Sequence, residues 1–136
     1  MVKMTTEEAF VKVLQMHGIG HAFGIIGSAM MPISDLFPAA GIKFWDCAHE
    51  CNAGMSADGY TRVTGKMSMA IAQNGPGITN FVTPVKTAYW NHTPLLLVTP
   101  QAANKTMEST NMPLPQMCCH LLTLQCTEPC QLGAII

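Results

Sequence analysis

Four short apolar runs, at 21–26, 42–47, 67–73 and 94–99, alternate with stretches of helical spacing. This alternation limits the chain more than any other feature. Strands that recur at such intervals cannot join by tight hairpins; each must be followed by a crossover, which makes neighbouring strands parallel and lays the intervening helices over the sheet. The expected fold class is therefore α/β, a parallel sheet flanked by helices. The last run, Pro94 to Thr99, is apolar almost without interruption and reads as a buried strand. Because the pattern stops one strand after a helix, the sheet is expected to be incomplete.

The helices announce themselves by their ends. Thr5 with Glu8 forms a capping-box pattern, Phe10, Val13, Leu14 and His17 follow at helical spacing, and Gly18 is the stop. A short helix is expected over 30–37 and a longer one from His49 to Thr64, closed by Gly65. The stretch from Ile78 to Trp90 also has helical spacing but contains Pro84. An interior proline removes a hydrogen bond and crowds the preceding turn, so a kink costing about 3 kcal/mol is expected there.

Composition narrows the function classes. The chain of 136 residues is 49% hydrophobic and 11% charged, enough apolar material for one core and too little polarity for disorder. Seven Lys and Arg against eight Asp and Glu leave no basic footprint for nucleic acid or an anionic membrane surface. The opening residues lack the layout of a secretory signal and no apolar run approaches membrane-spanning length, so the expected location is cytoplasmic. Six cysteines at uneven positions are then expected to be free thiols. Residues 106–136 change character: they hold no Lys or Arg, and Cys118, Cys119, Cys126 and Cys130 crowd among Pro113, Pro115 and Pro129. A boundary is expected at about Lys105.

Chemistry concentrates at the strand-to-helix junction before Glu50. Ligands of parallel α/β sheets bind at the carboxyl ends of strands, where this carboxylate falls. Its plain structural reading is a first-turn acid favoured by the helix dipole. Gly75-Pro76-Gly77 is likewise either an ordinary strand-to-helix turn or a place where a ligand approaches backbone. Cys47-x-His49-x-Cys51 contains metal-ligand types, but they share a face only if a strand continues through Glu50. Cys118, Cys119, His120, Cys126 and Cys130 lack the paired knuckles of a zinc site. No metal site is therefore assigned. His92 is either a loop histidine satisfied locally or a residue facing a site.

The run from His49-Glu50 through Ala53, Ala57, Gly59-Tyr60, Arg62 and Thr64-Gly65 resembles the signature of the pyrimidine-binding domain in thiamine-diphosphate enzymes of the acetolactate synthase and pyruvate oxidase superfamily. Phe23-Gly24-Ile25-Ile26-Gly27 is similar to the superfamily's first strand-turn, Gly75-Pro76-Gly77-Ile78-Thr79-Asn80 to its Gly-Pro-Gly-x-x-Asn motif, and Asn91-x-x-Pro94-Leu95-Leu96 to the entry into its next strand. Within the superfamily, the wording of Gly24 to Pro38 and Lys86 to Lys105 resembles the sulfoacetaldehyde acetyltransferases. The resemblance covers residues 1–105.

That resemblance implies thiamine diphosphate as cofactor. Glu50 is its implied catalytic residue, hydrogen-bonding N1′ of the aminopyrimidine so that the imino tautomer is favoured and its exocyclic nitrogen removes the C2 proton; burial of the carboxyl is implied with it. Ile26, Gly27, Glu50, Gly75, Pro76 and Asn80 are the implied cofactor-binding residues. The implied reaction takes sulfoacetaldehyde and phosphate to acetyl phosphate and sulfite, in a homodimer or homotetramer. Full-length relatives continue into a diphosphate-binding domain that holds a divalent metal, Mg, through a Gly-Asp-Gly and Asn motif not found in these residues. Where relatives have Phe-Gln-Glu, this chain has Thr106-Met107-Glu108. The expectation is a truncated domain over 1–105, followed by a tail, 106–136, of the kind a shifted reading frame produces. Such a chain is expected to be inactive alone; the alternative is a non-catalytic module that pairs with itself or an intact relative.

Overall fold

The computed structural model describes residues 3–100, so expectations about the tail lie outside the described residues. Helix α1, Thr6–Met16, begins on the capping box expected of Thr5: its hydroxyl accepts from the Glu8 amide at 3.2 Å while Glu8 accepts from the Thr5 amide at 2.8 Å. Strand β1, His21–Gly24, follows. Two single-turn helices, α2 (Met31–Ser34) and α3 (Phe37–Ala40), then lead to β2 (Lys43–Asp46). The long helix α4 (Glu50–Thr64) precedes β3 (Ser68–Ile71), and α5 (Pro76–Thr79) and α6 (Val82–Trp90) precede β4 (Leu95–Val98).

The strands form one sheet in the order β2-β1-β3-β4, and every pair is parallel. This is the α/β fold that the alternation of runs requires. Side-chain alternation divides the core in two. Met69 and Ile71 join Val11, Leu14, Met30 and Phe37 on the face covered by α1, α2 and α3. Ala70 and Ala72 join Ala53, Ala57, Phe81 and Ala88 on the face covered by α4 and α6. Helices on both faces mean that the chain reverses its direction of travel across the sheet between β1 and β3. At that switch the strands come so close that a Cβ on Gly24 would stand 2.0 Å from the Ile71 carbonyl oxygen. Among the described residues no helix is long and apolar enough to cross a membrane.

Three local expectations are corrected. One helix over 30–37 becomes two, because Pro38 has no N–H to give the Ser34 carbonyl and the helical ladder cannot continue past it. The expected kink at Pro84 does not occur: the helix breaks at Asn80 and Phe81, and Pro84 falls in the first turn of α6, where a missing N–H costs nothing. Its ring is buried against α4, where a Cβ on Gly54 would meet Pro84 Cγ at 2.5 Å and Phe81 at 2.9 Å. The run expected to be a buried strand is only partly so: Leu95 is buried and Leu96 to Val98 are half-buried, since β4 lies at an edge of the sheet.

Helix α4 is also tied to the sheet by polar atoms. Ser68 on β3 donates to the Ala57 carbonyl at 2.8 Å, and its hydroxyl shares a hydrogen bond with Thr61 at 3.1 Å, all buried. Buried Asp58 pairs with Arg62 one turn later at 2.6 Å. Gly65, with φ 68°, ends the helix as expected.

Two glycines of α4 separate propensity from packing. Replacing Gly54 with Ala gains up to about 1 kcal/mol of helix propensity but drives a methyl into Pro84, an overpacking cost of about 1–3 kcal/mol. Gly59 has nothing within 4 Å of its would-be Cβ. Urea unfolding is therefore expected to show Gly54→Ala destabilised and Gly59→Ala stabilised by up to about 1 kcal/mol; the same sign for both would refute the close approach of α4 and α6.

Candidate functional site

Three of the segments singled out in the sequence lie at the carboxyl end of the sheet. Ile25 to Ala29 follow β1, Cys47 to Glu50 follow β2, and Gln73 to Asn80 follow β3. The three converge on the side of the β1/β3 switch where open parallel sheets take their ligands.

Glu50 is the first residue of α4, immediately after its N-cap His49, whose Nδ1 accepts from the Cys51 amide at 3.1 Å. With the cap supplied by His49, the carboxylate turns toward a different element. Asn80, at the C-cap of α5, donates from Nδ2 to Glu50 Oε2 at 2.8 Å. The other oxygen, Oε1, lies beside Gly77, 3.4 Å from where a Cβ would stand. Gly77 is itself buried against Ala72. A first-turn acid satisfied by its own helix has no use for this long-range partner. Glu50 is half-buried rather than buried, because it sits at the rim of the sheet's carboxyl end.

The turn that carries Asn80 depends on Gly75. Its φ of 77° and ψ of −125° suit glycine, and Pro76 then starts α5 where a missing N–H is harmless. Ile26 is 39% exposed at the tip of the turn after β1, and Gly27 follows it. A Cβ on Gly27 would collide with Gln73, at 2.4 Å from Oε1 and 2.8 Å from Cβ. The same Oε1 accepts from the Ala29 amide at 3.4 Å. Sequence reasoning passed over Gln73. Its one signal was a long polar side chain placed between the buried end of a strand and a glycine turn.

Glu50, Gly77 and Asn80 thus stand together, and Gly27 joins the turn after β3 through Gln73. His92 does not belong with them. It follows α6 at the amino end of β4, opposite the site, and is exposed with φ 51° in a helix-ending turn. Cys47, His49 and Cys51 do not share a face either: β2 ends at Asp46, α4 starts at Glu50, and the His49 ring is engaged as a cap. Among the described residues no three His, Cys, Asp or Glu side chains are grouped to hold a metal. Burial pushes the Cys47 thiol above its ordinary range, against the lowering effect of the Gly24 backbone and with the Asp46 charge adding to the rise.

An aminopyrimidine ring is planar, with a basic ring nitrogen that needs a proton-bearing or hydrogen-bonding carboxyl group. The residues present fit it: Glu50 offers an oxygen at Oε1 beside Gly77, which adds no side chain there, while the space over Gly27 is taken by Gln73.

The chain is also similar to known proteins. The profile of the family described as thiamine pyrophosphate enzyme, N-terminal TPP binding domain, matches residues 4–119. A sulfoacetaldehyde acetyltransferase of Roseovarius nubinhibens is 87% identical over 106 residues, which are 78% of this chain and 18% of that protein. A second, from Rhodobacter capsulatus, is 76% identical over 106 residues with the same coverage. Among solved structures, the thiamine diphosphate-dependent 4-hydroxybenzoylformate decarboxylase of Rhodococcus jostii superposes with a TM-score of 0.74 at 24% identity, over 82% of this chain and 21% of that one. The chain therefore spans under a fifth of the length of the curated relatives it matches.

The Cys47 environment gives a pH test. A raised thiol titrates later than the roughly 8.5 of a free cysteine, so alkylation of Cys47 in the folded chain is expected to reach half its limiting rate at a higher pH than in the urea-unfolded chain. Peptide mass spectrometry after timed iodoacetamide pulses reads the two profiles, and coincident midpoints would contradict the burial.

Proposed function

The chain belongs to the thiamine pyrophosphate enzymes, through their N-terminal TPP binding domain, and from that membership we propose that it binds the aminopyrimidine end of thiamine diphosphate in an acyl-transferring enzyme. The reaction proposed is that of sulfoacetaldehyde acetyltransferase, sulfoacetaldehyde and phosphate to acetyl phosphate and sulfite. Residues 1–105 form the pyrimidine-binding part, in keeping with the 106-residue span over which the two acetyltransferases match. Residues 106–136 are taken as foreign to it, although the family profile runs on to residue 119.

The observation that carries the reading is the long-range bond from Asn80 to Glu50. It fixes one carboxyl oxygen and leaves the other at Gly77, so Glu50 is aimed rather than merely placed at a helix start. In the proposed complex Glu50 holds a proton at N1′ of the pyrimidine, a general acid-base role. Gly75, Pro76 and Gly77 shape the turn on which Asn80 is carried. Ile26 and Gly27 border the ring on the side of β1, Ile26 with apolar surface and Gly27 with backbone. When bound, the cofactor supplies a carbon nucleophile at the thiazolium C2. The diphosphate and its Mg ion are assigned to a part of the complete enzyme beyond these residues, in a cytoplasmic homodimer or homotetramer.

Two outcomes follow. A polypeptide of these 136 residues alone is expected to release no sulfite from sulfoacetaldehyde with thiamine diphosphate and Mg present, and robust turnover would refute the division of the site. The second concerns Glu50→Gln, made after residues 1–105 replace the matching part of the Roseovarius nubinhibens enzyme. The amide keeps the shape but cannot hold the N1′ proton, so turnover and C2 proton exchange at saturating cofactor should fall roughly 10²- to 10⁴-fold while cofactor still binds. A helix-dipole acid would alter stability by under about 1 kcal/mol and leave exchange near normal.

A further inference from the structure

We propose that Gln73 is a positioning residue, a clasp that holds the turn after β1 against the turn after β3 and so sets the width of the cleft between them. The proposal rests on the reading of these two turns as the borders of the pyrimidine site. β1 and β3 are adjacent, and the backbone ladder continues past their ends with the Ile25 amide on the Ile71 carbonyl at 3.4 Å. Beyond that point the two chains diverge, one toward α2 and the other toward Gly75. Gln73 bridges the divergence: its Oε1 reaches the Ala29 amide at 3.4 Å.

The contact is steric as well as polar. Gln73 lies where a side chain at position 27 would lie, so Gly27 is glycine because Gln73 crosses over it. Relief by rotating the amide away is blocked, since Gln73 Cβ itself is 2.8 Å from the would-be Cβ of Gly27. Clasp and glycine therefore act as one unit. Ile26, with its exposed side chain, immediately precedes Gly27 in the turn that the clasp holds.

The clasp is tested in two settings. In the 136-residue chain, amide exchange at Ala29 is measured for wild type, Gln73→Ala, Gln73→Met and Gln73→Glu. Loss of one modest hydrogen bond should quicken exchange roughly 3- to 10-fold in the Ala and Met variants, while Glu, which retains an acceptor oxygen, restores protection. Unchanged exchange in the Met variant overturns the clasp. In the restored enzyme described above, the same variants should raise the half-saturating concentration of thiamine diphosphate by a similar factor, a larger change than that in kcat, with Glu again the rescuing variant. A faster Ala29 amide with unaltered cofactor saturation would show a clasp that serves stability alone, and overturns the proposal. Glu50→Gln is run beside them: normal C2 exchange there would remove the site itself, and the proposal with it, whatever the Ala29 amide shows.

Discussion

The close approach of α4 to its neighbours is the constraint on which the rest of the structure depends. Ala53 and Ala57 lie against the sheet and Gly54 against Pro84, so the helix axis comes nearer than larger side chains would permit. Buried methyl groups contribute little hydrophobic area individually. What they give instead is position. A helix seated this closely has little freedom to slide, and the buried Thr61, Ser68 and Ala57 hydrogen bonds fix its register along β3.

A fixed α4 in turn fixes where its first residue points. Glu50 is held from its own helix by the His49 cap and from α5 by Asn80, two restraints on unconnected segments. The uncovered rim of the sheet leaves the carboxyl half solvated. In a complete site, covering that rim would strip the solvent and strengthen every electrostatic contact the carboxyl makes. In the proposed site these residues aim the carboxyl group.

How much of this was legible in the sequence depended on the range of each interaction. The capping box of α1, the Gly65 stop and the strand-helix alternation rest on neighbours within a few residues, and periodicity records such signals directly. The position of Glu50 at a strand-to-helix junction was legible for the same reason. What escaped was written in pairs far apart in the chain. Pro84 looked like damage to a helix because its partner, Gly54, is thirty positions upstream, and the seating of a proline ring on a glycine has no period. Gln73 escaped because one polar residue beside a glycine turn is a common sight, and only its reach across to Gly27 and Ala29 distinguishes it. The exposed flank of β4 was missed because an apolar run records what a strand is made of and not where in the sheet it lies.

The strand order has a consequence for how such a chain emerges during synthesis. β1, near the amino terminus, lies at the centre of the sheet between β2 and β3. Its partner on one side is made next, but Ala22 to Gly24 meet Met69 to Ile71 only after all of α4 has been added. Non-local pairing of this kind is slow, because a long loop must close before any contact rewards it. Until then the nascent chain carries Ala22 and Phe23, later buried, on an open strand edge. β1, made before both of its neighbours, is enclosed only once β3 has been made.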